Sequence, residues 1–277
     1  MTSIFSMGHT LTLTALTQPT RFQSVDMAQK LILPDLLFSQ GFGTRRICAG
    51  LVQQGQVKID TDLGLETQTQ TDLLIDVANG MIFMVQGVLW QYHEKAYVLL
   101  HKPAGTECSH KPSAWPSVYS LLPTPLRQRP AKTGLQGVQA VGRLDQDTTG
   151  MLLLSDDGQF IHRMSSPKHH VPKVYELTTE DALEEKVVAK LLQGVVLNDD
   201  PAPVKAAACH LTGSHTLQLT LTEGKYHQVK RMLAATGHKV VQLHRSRIGE
   251  MALTNDLAPG QWRWLSEDEL QALTRKQ

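Results

Sequence analysis

Cysteine is scarce: Cys48, Cys108 and Cys209 are the only three in 277 residues, and no two of them form a CxxC pair. That spacing supports neither a disulfide framework nor a thiolate zinc site, and it fits a reducing, cytoplasmic setting. No run approaches the roughly 18 consecutive apolar residues that a bilayer span requires, so a membrane protein is not expected. A global charge of one sign is also missing, since 27 Lys and Arg stand against 26 Asp and Glu for a net +1. Composition therefore does not announce nucleic acid, and any basic binding surface has to be local. Before Arg21 there is no basic residue, and Thr10, Thr12 and Thr14 interrupt the apolar stretch. A secretory signal is thereby excluded, and residues 1–30 are expected to be a flexible extension, with Met27 opening a better-patterned segment.

What is present is enough apolar material for a buried core, 41% hydrophobic against 19% charged, in a length that implies two compact units. From Leu31 the pattern sharpens. Leu33, Leu36 and Leu37 recur at helical spacing, Gly41 and Gly43 break the run, and Thr44 can cap a second helix from Arg45 to near Gly55. Val57 to Ile59, Leu73 to Val77 and Met81 to Val85 read as short strands, with a turn over Asp60 to Gly64. The stretch LPDLLFSQGFGTRRICAGLVQQGQVKID resembles the S4-type RNA-binding module, in which two helices present basic side chains to structured RNA. The resemblance implies an RNA-binding domain over residues 31–93. This copy departs from the type. Its second helix offers only Arg45 and Arg46, and residues 1–93 carry 5 Lys and Arg against 7 Asp and Glu. Weak RNA affinity is expected from this module alone.

Tyr97 to Leu100 reads as the strand opening a larger unit, residues 94–277, and the loop Pro123 to Gly134 carries Arg127, Arg129 and Lys132 without an acid, as a solvated or phosphate-contacting loop would. The most informative segment is AVGRLDQDTTGMLLLSDDG, where Asp145, Asp147, Thr148, Thr149 and Gly150 form a polar turn before the apolar strand Met151 to Leu154. Three chemistries compete for it. Asp145, Asp147, Thr149, Gly150 and Asp156 fall at EF-hand positions, but the glycine-rich residues before them are poor helix material. Asp145-x-Asp147-x-Thr149 also satisfies the signature of aspartate-nucleophile phosphotransferases, but Gly142 and Arg143 interrupt the buried strand that fold requires. The third reading takes Asp145 as a lone carboxylate, flanked by Arg143 and held by a distant cation.

The whole stretch GRLDQDTTGMLLLSDDGQFIHRMSSPKHHVPKVYEL, continued by LTEGKYHQVKRMLAATGHKVVQLHRSRIG and LAPGQWRWLSEDEL, resembles the RsuA-like branch of the pseudouridine synthases. Three motifs in the right order are more specific than any one of them. The resemblance implies that Asp145 is the catalytic carboxylate, as nucleophile or as base, that Tyr175 stacks on the target base, and that Lys230 is the cation keeping the carboxylate ionised. Independently, a helix starting near Tyr226 would put Tyr226, Val229, Met232 and Leu233 on one apolar arc with Lys230 at its edge and Arg231 pointing away. Arg143 is expected to fill the gap left by a flipped uridine, or to pair with Asp147 or phosphate. Lys225, Arg231, Arg245 and Arg247 form one basic stretch and Lys168, His169 and Lys173 a second, both suited to phosphate contacts. The clustered charge around His227, His238 and His244 opposes metal ligation, and His101 stands where members of the family it resembles usually have Asn.

The expectation is thus an α+β chain: a small S4-like module followed by a catalytic domain with a mixed, largely antiparallel sheet. It would be a monomer without cofactor or metal, acting in the cytoplasm on one uridine of 16S ribosomal RNA, of the position-516 type, free or in a small-subunit assembly intermediate. A sister branch acting on large-subunit RNA, and a non-catalytic RNA-binding assembly factor, remain the alternatives.

Overall fold

A computed structural model describes residues 29–131, 134–198 and 200–275. Lys132 and most of the anticipated N-terminal extension lie outside the described residues.

The first unit comprises β1 (Gln29–Ile32), α1 (Leu33–Ser39), α2 (Arg45–Gln53), β2 (Val57–Thr61), β3 (Gly64–Gln68), β4 (Leu74–Val77), β5 (Ile82–Val85) and β6 (Val88–Gln91). Four strands pair in the order β3-β2-β5-β6, and β1 pairs with β4. Leu33, Leu36 and Leu37 are fully buried on α1, and Cys48 and Val52, one turn apart on α2, close the same core. Thr44 caps α2, its hydroxyl accepting from Ile47 N at 3.3 Å. Leu31 belongs to a strand rather than to the start of the helix. The anticipated turn at Asp60 to Gly64 is narrower, because β2 runs to Thr61 and β3 begins at Gly64. β3 has no apolar alternation to betray it, being a mostly exposed edge strand.

The second unit follows as β7 (Tyr97–Lys102), α3 (Thr124–Arg127), β8 (Pro130–Ala131), β9 (Gly134–Leu135), β10 (Gln139–Ala140), β11 (Thr149–Ser155), α4 (Gly158–Ser165) and β12 (Lys173–Thr179). It continues through α5 (Glu185–Gln193), β13 (Val195–Leu197), β14 (Asp200–Val204), β15 (Ala208–Leu211), β16 (Thr216–Leu221), α6 (Gln228–Ala235) and β17 (Val240–Ile248). β18 (Met251–Ala252), β19 (Trp262–Trp264) and α7 (Glu267–Thr274) end it. A nine-stranded sheet runs β15-β16-β12-β17-β11-β7-β19, with β10 beside β11 and β18 beside β17. Its pairings are antiparallel except for β11 with β17, which is parallel.

Strands β7 and β11 are apolar on both faces, and period-two alternation sorts their side chains. Leu99, Met151 and Leu153 join Phe160 and Met164 of α4 and Leu273 of α7 in one core. Leu100, Leu152 and Leu154 face the opposite core, which is continuous with that of the first unit. Trp90 of β6 meets Trp264 of β19 edge-on at 5.8 Å. Close docking of the two units requires Gly41, whose φ is +87° and whose hypothetical Cβ would lie 2.1 Å from Pro125 O.

Arg129 departs from the sequence reading. The loop that carries it was expected to be solvated, yet Arg129 is 1% exposed and pairs with Asp156 at 2.5 Å. It also donates to Gln40 Oε1 and to the carbonyls of His93 and Glu94, so its charge and its fork of donors are used to tie the two units together.

Candidate active site

Asp145 lies in the connection between β10 and β11, with strands rather than helices on either side, which removes the EF-hand reading. Thr148 N closes the turn on Asp145 O at 3.1 Å. Beneath it, fully buried Lys102 donates to the carbonyls of Pro103, Gln146 and Thr148 at 3.0, 3.2 and 2.9 Å. Burial pulls the Lys102 pKa below the usual lysine value, and the three carbonyl dipoles satisfy its donors. The neighbouring strand comes close at the turn's exit. Gly150, opposite Arg245 in the parallel pairing, has φ +108°, and a Cβ there would lie 2.3 Å from Arg245 O.

This packing sets the turn against α6. Lys230 Nζ is 3.3 Å from Asp145 Oδ2 and donates to both Asp147 oxygens at 2.6 and 2.9 Å. Burial opposes the Lys230 charge, but the Asp147 hydrogen bond and the two carboxylates hold its pKa above the ordinary lysine value. Asp147 is likewise held low, burial being outweighed by Lys230. From the other side His227 Nε2 is 3.2 Å from Asp145 Oδ1. His227 precedes α6 in a left-handed conformation, φ 47°, with its ring stacked on Tyr226 at 3.8 Å. Left-handed backbone is uncommon for a residue with a Cβ, and here it delivers the imidazole to the carboxylate.

The carboxylate opens into a cleft that Tyr175, Lys173, Arg245, Thr148 and Arg143 help to line. Tyr175 is 8% exposed. It sits on β12 where the register against β17 shifts between Val174 and Tyr175, the kind of irregularity that re-aims a side chain.

The family model described as RNA pseudouridylate synthase matches residues 96–235. The chain belongs to that family. Ribosomal small subunit pseudouridine synthase A of Haemophilus influenzae is 36% identical over 232 residues, 84% of this chain and 94% of that protein. The protein of the same name from Escherichia coli K12 is 41% identical over 182 residues, 66% of this chain and 75% of its own length. A crystal structure of a pseudouridylate synthase superposes with a TM-score of 0.60 at 34% identity, covering 88% of this chain and all of the other.

Against this pseudouridylate synthase fold the basic residues read from sequence divide into three groups. Arg143, Lys168, His169, Arg247 and Arg46 are exposed, as phosphate contacts must be. Asp147 is bound by Lys230 rather than by Arg143. Arg45 is exposed too, but its Nε donates to Asp35 at 2.7 Å and its guanidinium covers the Phe38 ring at 4.1 Å. Lys225 and Arg231 are half-buried around α6, with Arg231 donating to Tyr226 O at 3.0 Å. One expectation needs correction. Arg245 is 2% exposed and bonds Met151 O through Nε at 2.8 Å, so it is a wall of the cleft and not a surface phosphate contact. Lys173 also faces the cleft, donating to Val171 O at 2.8 Å.

Sequence reasoning missed two residues. Lys102 stands in a plain turn dipeptide, with nothing local to mark it as buried. His227 was read only as one member of a basic cluster, and adjacency to the helix carrying Lys230 was the signal available. α6 itself begins at Gln228, two residues later than its apolar arc suggested, because His227 leaves helical geometry. His101 bonds Leu257 O through Nδ1 at 2.7 Å.

Proposed function

We propose that this chain converts one uridine of small-subunit 16S ribosomal RNA to pseudouridine, with the Asp145 carboxylate acting at the ribose and no cofactor. Support comes from the names of its relatives in Haemophilus influenzae and Escherichia coli and from one observation above all: Asp145 stands at the cleft between Lys230 at 3.3 Å and His227 at 3.2 Å. Either attack on the sugar or proton removal from it needs a carboxylate at this position, and the Lys230 ammonium offsets its negative charge.

The reaction breaks the bond from N1 to C1′, turns the base and joins C5 to C1′. The proton on C5 is then lost while N1 gains one. Tyr175 stacks on the base, and Arg143 at the rim occupies the gap left by the swung-out nucleotide. Residues 31–93 act as an S4-like RNA-binding module feeding the catalytic unit, residues 94–277, with Arg46 and the Lys168, His169 and Arg247 face engaging phosphates. The substrate is the RNA or an assembly intermediate containing it, and the protein works as a cytoplasmic monomer.

Asp145→Asn is expected to keep RNA affinity and lose all product. Carbodiimide mapping of ribosomal RNA from cells lacking the protein should show one missing small-subunit pseudouridine. A missing large-subunit site would move the substrate to the sister branch, and unchanged product from Asp145→Asn would refute the mechanism.

A further inference from the structure

Among the described residues, four buried side-chain polar atoms have no hydrogen-bond partner in the protein, and two of them, Thr148 Oγ1 and Arg245 Nη2, belong to residues lining the Asp145 cleft. Both side chains are nearly inaccessible, at 1% and 2% exposure. An unpaired buried donor on a guanidinium is costly, because desolvation is not offset by any contact. Arg245 is also held in place: Nε is fixed to Met151 O at 2.8 Å, and the backbone is pinned against Gly150 and Tyr175. Its charge is not neutralised by an ion pair with any described residue. Lys173 registers that charge, since burial first and Arg245 second push its pKa down to about 8. The cleft wall thus holds a fixed N–H donor of positive charge and a hydroxyl able to donate or accept, each without a hydrogen-bond partner among the described residues.

Those two groups complement the edge of uracil, which presents a carbonyl oxygen, an N3–H and a second carbonyl oxygen in a row. When the bond from N1 to C1′ breaks, its electron pair leaves with the base, and the negative charge spreads from N1 onto O2 and O4. We propose that Arg245 and Thr148 are the base-recognition pair of this enzyme: Arg245 Nη2 donates to one uracil carbonyl oxygen and stabilises the charge that develops there, while Thr148 Oγ1 accepts a hydrogen bond from N3–H. A contact that strengthens as charge builds favours the transition state over bound substrate. Where that oxygen is O4, the contact also disfavours cytidine, whose amino group replaces it. The inference rests on the assignment of the Asp145 cleft as the uridine site.

The test is single-turnover conversion of ribosomal RNA carrying uridine, 2-thiouridine or 4-thiouridine at the modified position, with product read by mass spectrometry. Sulfur is a poorer acceptor than oxygen, so one of the two thio substitutions is expected to slow the wild type at least tenfold. Arg245→Lys keeps the charge but loses the fork of donors. It should slow uridine conversion about 10- to 100-fold and abolish the difference between oxygen and sulfur at that position, with RNA affinity little changed. Thr148→Val preserves shape and should lose rate while keeping the thio sensitivity, and it decides the matter if Arg245→Lys does not fold. Equal thio sensitivity in Arg245→Lys and wild type, or wild-type rate in Thr148→Val, would overturn the proposal. Product from Asp145→Asn, or none from the wild type on uridine, would instead count against the reading on which the inference rests.

Discussion

Lys230 Nζ lies 3.3 Å from Asp145 Oδ2, reaching it from the first turn of α6. Its nearer partner is Asp147, at 2.6 Å, so one ammonium serves two carboxylates and fixes the turn that presents Asp145. Removing the ammonium leaves two like charges in one turn, with the His227 ring still against Asp145. Lys230→Met is expected to lower the single-turnover rate by about two orders of magnitude or more, with RNA affinity changed far less. Lys230→Arg should recover part of the loss. A rate within threefold of wild type for Lys230→Met would show that the ammonium is dispensable.

Arg129 ties three segments that are distant in sequence to Asp156, whose side chain is 13% exposed. Truncation strands a nearly buried carboxylate and the Gln40 and backbone acceptors. Arg129→Met should destabilise the fold by about 3 to 5 kcal/mol, read by chemical denaturation. The double variant with Asp156→Asn should lose less than the sum of the two single variants. Strict additivity would argue that the pair is not coupled.

His93 stacks on Trp264 at 3.9 Å, and burial first and the Arg129 charge second push its pKa down to about 3. Between the ordinary histidine value of about 6.5 and that folded value, only the unfolded chain takes up the proton. Stability is therefore complete above about pH 6.5 and is lost as pH falls toward 3, with a slope of at most about 1.4 kcal/mol per pH unit from this residue. His93→Phe, which keeps a ring against Trp264, should flatten the acid limb of denaturation midpoints measured from pH 7 to pH 4. An unchanged slope would remove His93 as its source.

Lys173 has a pKa of about 8, lowered by burial and then by Arg245, so within the cleft it is charged below that pH and neutral above it. Affinity for RNA is expected to weaken as pH rises from 7 to 9. The salt dependence should shrink over the same interval, because one fewer cation displaces counterions. In Lys173→Met both trends should be absent. Filter binding at several ionic strengths measures them directly.

Local chemistry was legible in the chain itself. Leu33, Leu36 and Leu37 mark one helical face, Thr44 supplies a cap, the run Met151 to Leu154 is a buried strand, and the order of three motifs indicates the family. Each of these depends on residues a few positions apart, where periodicity, capping and turn chemistry act directly. The first unit's edge strand β3 escaped because it buries almost nothing, so no alternation records it.

The fate of the charged residues was decided only by tertiary structure. Arg231 and Arg245 stand in the same basic stretch, yet one lies half-buried on α6 while the other is sealed into the cleft wall at 2% exposure. The sealing follows from the parallel pairing of β11 with β17, which sets Gly150 against Arg245 and carries the Asp145 turn to within reach of α6. Arg129 likewise became buried because Gln40, 89 positions away, and Asp156 arrive to satisfy it. A cation can leave water only where acceptors or opposite charges replace its hydration. Those partners come from remote parts of the chain, so burial of charge is a property of the assembled fold that the linear order of residues does not carry.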